Sequence, residues 1–362
     1  MIVVTPAAFE PECLTVFRSN ACNLACRYCH ASPDSDPGPP IPDGVLADAA
    51  DLVATSCAGR GIAMTLALLG GGEPLLDRND AARILGIARE RAAVASVPLH
   101  TYVATNGVVP EETARWAAAE FDLIGLSCDG PPAVQDVQRP IRGGGPSSPH
   151  VERTASVLRE GGRPFHVRAT VTTDTLGRQS EVVAYATGTL GAAEVRLEPE
   201  YASPGGTPGL SPDDADAFCD GFLAARRAGA EIGVPVTTSL MRPAEPHGPH
   251  CNVLRGVVNL APGGIATGCF LESRAEGIDA RGVRVGGVNL TTGRFALDSA
   301  RLAELATACG RVPEECRGCP IEYACSRACP DVCMLVDGSG VPHRGTFRCR
   351  VQLRLAAEAV PA

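Results

Sequence analysis

Cys22, Cys26 and Cys29 fall in one short stretch, SNACNLACRYCHAS (19–32). A structural zinc takes four ligands and a disulfide takes two, so three thiols in one loop fit neither. A four-iron cube normally takes four Cys thiolates. A loop that supplies three leaves one iron open to a small molecule, as a catalytic zinc keeps one position open. Three closely spaced cysteines therefore suit a cluster whose fourth iron is reserved for a substrate or cofactor.

The chain holds 16 cysteines. Eight gather towards the C-terminus: Cys251, Cys269, Cys316, Cys319, Cys325, Cys329, Cys333 and Cys349. Two cubes would need about eight thiolates, which matches this group. C-x2-C pairs also suit zinc, so a pair of zinc sites is the competing reading. Cys13, Cys57, Cys128, Cys219 and Cys309 are scattered and read as small buried residues. A disulfide framework would need a secreted setting. The segment MIVVTPAAFEPE has no charged region followed by an apolar core, so it is no signal peptide. Free thiols in a reducing cytoplasm are the expectation.

Short β-rich runs and Ala/Arg-rich stretches must position these groups. Strands are expected at 14–19, 64–69, 99–105, 123–128, 166–171 and 194–200, with helical patterns between them. This alternation predicts parallel strands joined by crossover helices. Six units are too few for a closed eight-stranded barrel, so the expected fold is α/β, a partial (β/α)6 barrel of the TIM type. Residues 1–240 form it, and 241–362 form a small cysteine-rich domain. The strand ends carry GGGEP (70–74), Asn106-Gly107, Asp129-Gly130 and a Ser-Pro-Gly-Gly run at 203–206. Parallel α/β folds build their sites at these carboxyl ends, and the three-cysteine loop follows the first strand.

The chain has 362 residues and a net charge of −9. That balance argues against a nonspecific nucleic-acid binder and a basic membrane-surface protein. No apolar run approaches a membrane span.

The C-x3-C-x2-C loop, with Tyr28 before its last cysteine, resembles the signature of radical S-adenosylmethionine (SAM) enzymes. The resemblance implies a cube on Cys22, Cys26 and Cys29 whose open iron is chelated by the cofactor's amino and carboxylate groups. An electron then cleaves the sulfonium, and a 5′-deoxyadenosyl radical abstracts hydrogen from the substrate. Gly71, Gly72, Glu73 and Pro74 resemble the motif that hydrogen-bonds the methionyl amino group. Thr105, Asn106 and Gly107 match a T-N-G segment. Ser127 and Asp129 match an S-x-D-G segment near the ribose. Arg168 fits the cofactor carboxylate and Leu197 an adenine contact. Glu198 is a candidate base or substrate contact, and His30 either tunes the cluster or is a solvated loop histidine.

The C-terminal spacing, Cys251, Gly264-x4-Cys269, Cys316-x2-Cys319-x5-Cys325-x3-Cys329 and Cys349, resembles the SPASM extension of these enzymes, as in relatives of the anaerobic sulfatase-maturating enzymes. It implies two auxiliary [4Fe-4S] clusters and three in all. One takes Cys316, Cys319, Cys325 and Cys349. The other takes Cys251, Cys269 and Cys329, with Cys333 completing it or an iron left open for substrate.

Many members modify peptide side chains, so the leading expectation is an oxidoreductase that matures a ribosomally synthesised peptide by cross-linking or oxidation. A dehydrogenase or epimerase acting on a small molecule such as an amino sugar is the alternative. A zinc-binding interaction module is the third. About a dozen residues precede the first strand, so a peptide is expected to need a separate recognition protein or a direct groove. A low-potential donor such as ferredoxin or flavodoxin would reduce the cluster.

Overall fold

The computed structural model describes residues 9–29, 31, 36–201, 208–240, 253–310, 314–322, 325 and 344–359. Six strands appear where the sequence predicts them, within a residue or two: β1 Cys13–Phe17, β2 Met64–Leu69, β3 Leu99–Thr105, β4 Leu123–Ser127, β5 Phe165–Val171 and β6 Glu194–Pro199. A two-residue β7 (Val236–Thr237) continues the parallel series beside β6. β8 (Val257–Ala261) pairs in parallel with the other edge of β1. Antiparallel β9 (Ile265–Thr267), β10 (Arg284–Val288) and β11 (Phe295–Leu297) then extend the sheet. The order is linear, β11-β10-β9-β8-β1-β2-β3-β4-β5-β6-β7, so the sheet stays open. The expected count of six parallel strands is thus extended at both edges. β7 is too short to leave a periodic signal, and β8 pairs with a strand more than 200 residues earlier in the chain.

Parallel strands need long crossovers, and helices supply them: α1 (Asp43–Arg60), α2 (Arg78–Val94), α3 (Glu111–Glu120), α4 (Pro132–Gln138), α5 (Ser148–Glu160), α6 (Gln179–Tyr185) and α7 (Ala215–Glu231). α1 stops at Gly61, whose left-handed φ of 66° lets its N–H close on Ala58 and Cys57 carbonyls. α2 starts at Asp77, whose carboxylate caps the Asp80 N–H. Beyond the parallel sheet come α8 (Val253–Gly256), α9 (Ala275–Ala280), α10 (Ser299–Gly310) and α11 (Phe347–Ala359).

The strands alternate with period two. Leu14, Val16, Leu66, Leu68, Val103, Ile124, Leu126, Val167, Val195 and Leu197 are fully buried with the helices in the main core. The opposite face carries Thr15, Tyr102, Ser127, His166, Arg168, Arg196 and Glu198. One face packs, and the other is chemically equipped. Cys57, Cys128 and Cys219 are core residues at 0–1% exposure.

α11 is fastened to the barrel. Phe347 meets Phe218 of α7 edge-on at 5.6 Å, and Arg354 pairs with Asp216 and Asp220. No helix among the described residues is long and apolar enough to cross a membrane.

Candidate cluster and cofactor site

The cysteine loop leaves β1 and is braced on two sides. On one side, Gly72 N–H donates to the Ser19 carbonyl and Glu73 N–H to the Ala21 carbonyl, both at 2.9 Å. A Cβ on Gly72 would stand 1.8 Å from the Ala21 oxygen. Only glycine permits this approach, which gives the GGEP run a concrete role. On the other side, Ala25 N–H donates to the Pro140 carbonyl, Arg27 N–H to Gln138, and Arg142 N–H to Asn23, at 2.9–3.0 Å. Leu24 and Ile141 form an antiparallel bridge there.

Cys22, Cys26 and Cys29 are partly exposed and free of disulfides. Burial raises the Cys22 thiol, and it pushes Cys26 up to about 12 against the lowering pull of Arg139. The Cys22 Sγ accepts from Leu24 N–H at 3.4 Å and from Asn106 Nδ2 at 3.7 Å. Among the described residues, no three His, Cys, Asp or Glu side chains converge on a single ion. Three separated thiols on one loop fit a cube, in which each binds a different iron, better than one zinc. The residues present fit the group that the sequence implies.

Glu73 is 2% exposed, and its carboxylate accepts from Thr105 Oγ1 at 2.8 Å, Asn106 N–H at 2.6 Å and Leu75 N–H at 3.0 Å. Burial raises its pKa while these donors lower it. Its side chain therefore holds the T-N-G turn. Asn106 in turn donates to Asn23 at 2.8 Å, so the ends of β2 and β3 and the cysteine loop are one hydrogen-bonded unit.

Asp129 is 1% exposed. Its Oδ2 accepts from Tyr28 Oη at 2.6 Å and Gln138 Nε2 at 2.8 Å and ion-pairs with Arg139 at 3.0 Å. Its Oδ1 accepts from Thr170 N–H at 2.9 Å. Tyr28, just before Cys29, is thus anchored to β4, and desolvation raises its phenol well above the usual range. Gln138 and Arg139 were not singled out in the sequence. They lie in VQRP, which begins seven residues after the end of S-x-D-G and has nothing local to mark it.

Ser127 and Arg168 share a register position on β4 and β5 and face the polar side of the sheet. Neither side chain has a partner among the described residues, so both remain available to a ligand. Leu197 lies on the other face, at 0% exposure in the core. Glu198 is 6% exposed, and Ser239 donates to both its oxygens, from its N–H at 3.0 Å and its Oγ at 2.5 Å.

In the tail, Cys269, Cys316, Cys319, Cys325 and Cys349 are partly exposed and not disulfide-bonded. Cys316 and Cys319 share a turn through Cys319 N–H to the Cys316 carbonyl at 3.2 Å. Cys349 lies in the first turn of α11. Ser273, soon after Cys269, donates to Asn20 Oδ1 at 2.7 Å, which ties this segment to the first cysteine loop. Cys251, Cys329 and Cys333, with His30 and the run at 203–206, lie outside the described residues.

Comparison with known proteins agrees. Residues 16–179 match the radical SAM superfamily model. The AdoMet-dependent heme synthase of Nitratidesulfovibrio vulgaris is 27% identical over 161 residues, 44% of this chain; the match spans 40% of that relative's length. Native anSMEcpe with bound AdoMet superposes over 96% of this chain and 98% of that one, with a TM-score of 0.74 at 18% identity. SuiB of Streptococcus suis bound to S-adenosylmethionine covers 90% of this chain and 74% of that one, with a TM-score of 0.58 at 14% identity. At such identities the likeness establishes the fold. With its three-cysteine loop, its GGEP strand end and this parallel sheet, the stretch from 16 to 179 is a domain of the radical SAM superfamily.

Proposed function

We propose that the chain cleaves S-adenosylmethionine reductively and uses the resulting radical to abstract hydrogen from a side chain of a ribosomally synthesised peptide, as an oxidoreductase. The observation that carries this reading is one hydrogen-bonded unit joining the three-cysteine loop to Gly72, Glu73 and Asn106 at the strand ends. A cube and cofactor bound there would supply one electron and a 5′-deoxyadenosyl radical. Cys22, Cys26 and Cys29 would hold the cube. Gly71 and Gly72 let the end of β2 pack closely against the cysteine loop that would hold it, and Ser127 and Arg168 offer a hydroxyl and a guanidinium to a carboxylate.

The peptide part rests on the eight tail cysteines and on the fold likeness to anSMEcpe, which has also been seen with bound AdoMet and a Cp18Cys peptide. In this reading residues 241–362 are a SPASM-like domain that holds two auxiliary clusters. A low-potential donor in the cytoplasm would reduce the enzyme, and the peptide would arrive directly or with a recognition protein. The 27% identity with the heme synthase favours a second reading, in which the substrate is a small molecule.

Iron, acid-labile sulfide and 5′-deoxyadenosine would be measured after anaerobic reconstitution. The proposal expects about twelve irons per chain and reductant-dependent 5′-deoxyadenosine that Cys26→Ala abolishes. Zinc in place of iron, or cofactor cleavage by Cys26→Ala at the wild-type rate, would sink it.

A further inference from the structure

The return of the chain past the cysteine loop has a definite register. Leu24 faces Ile141, with Ala25 N–H donating to Pro140 and Arg142 N–H to Asn23. In an antiparallel pair, residues two places on face each other on the same side. That position pairs Cys26 with Arg139, and the Arg27 N–H bond to the Gln138 carbonyl is one of its two expected ladder bonds. The other would need a Pro140 N–H, which proline lacks. Such pairs bring side chains closest, with Cα atoms roughly 4.5 Å apart.

Arg139 is 8% exposed, an uncommon state for a guanidinium. Its Nε is ion-paired with Asp129 at 3.0 Å yet buried without an aligned hydrogen bond, and its terminal nitrogens make none within the described protein. Its guanidinium carbon stands 5.2 Å from the Tyr28 ring centre. A guanidinium carries five N–H donors, and among the described residues its ion-pair contact is the Asp129 carboxylate. Tyr28 and Asp129 fix a positive charge at the cysteine loop without exhausting it.

We infer that Arg139 is a positioning residue that sets the reduction potential of the cluster on Cys22, Cys26 and Cys29. This rests on the cluster reading above. Reduction adds one electron from an external low-potential donor and makes the cluster more negative. A fixed cation beside Cys26 favours that state, and charge and hydrogen bonding at the sulfurs are what a protein uses to tune it. Asp129 works in the opposite sense, as the counter-charge one step further from the loop.

The test is an EPR-monitored redox titration of the reconstituted protein without SAM, in wild type, Arg139→Gln and Asp129→Asn. All three carry Cys316→Ala and Cys269→Ala to weaken the tail clusters, and the N-terminal signal is identified as the one that a further Cys26→Ala change removes. The expected result is opposite shifts: the midpoint becomes more negative in Arg139→Gln and more positive in Asp129→Asn. Removing one partner of a buried ion pair is strongly destabilising, so Arg139→Lys, which keeps the charge, serves where Arg139→Gln fails to fold. It should stay nearer wild type than Asp129→Asn does. Midpoints that coincide in all variants, or shifts of the same sign, overturn the inference. If even the parent protein assembles no cluster, the cluster reading itself is what fails.

Discussion

Glu73 and Asp129 show how fully the oxygens of a motif carboxylate can be engaged by the protein itself. Both are buried carboxylates at strand ends, and both have their oxygens occupied by protein donors. Glu73→Gln would place an amide N–H against a backbone or hydroxyl donor. The expected cost is about 1–3 kcal/mol, the penalty for a buried group left unpaired. Urea unfolding of the apoprotein measures it. An unchanged midpoint would mean that Glu73 is free to turn to a ligand after all. Arg168 and Ser127, by contrast, have no hydrogen-bond partner among the described residues and lie on the polar sheet face, where a ligand can reach them.

The decisive element is the β2 end and its glycines. Gly72→Ala would drive a methyl into the Ala21 carbonyl, a contact 1.8 Å long before relaxation. The loops would have to part, so we expect loss of N-terminal iron with a circular dichroism spectrum unlike that of unfolded chain. Full iron content in Gly72→Ala would show that the close approach is incidental.

On β5, His166 is 2% exposed, stacks on Tyr102 at 5.7 Å and faces Glu194, Arg168 and Arg196. Burial, reinforced by the two arginines and opposed by Glu194, lowers its pKa from 6.5 to about 4. The unfolded chain therefore binds a proton that the folded chain refuses between these values, so this term makes stability rise from about pH 4 to about pH 6.5. His166→Asn should flatten that limb in urea unfolding at pH 4.5 and 7. An identical pH slope in variant and wild type would remove the assignment.

Over the whole molecule, the tail is an extension of the same sheet through β8 and is clamped to α7 through α11. On the proposed reading, a cysteine in such a tail acts on chemistry at the strand ends through a shared substrate or electron path. Cys316→Ala should therefore leave cofactor cleavage measurable while product formation is lost, with iron falling from about twelve towards eight per chain. Full product formation by this variant would make the tail clusters dispensable.

Residue types and local spacing settled a good deal. The three thiols, the GGEP run and the period-two strands are local signals, because loop ligands, tight approaches and pleated faces depend on near neighbours. Their sum sufficed for the family and for a parallel α/β sheet. Three things needed the tertiary structure. Arg139 faces Cys26 only because chain segments more than 100 residues apart pair in one register. Glu73 and Asp129 are committed to protein donors that come from other strand ends. Leu197 and Arg168 differ in reach because of which face of the sheet the pleat assigns them. Local spacing lists the groups able to do chemistry; long-range pairing decides which of them keep a free valence for it.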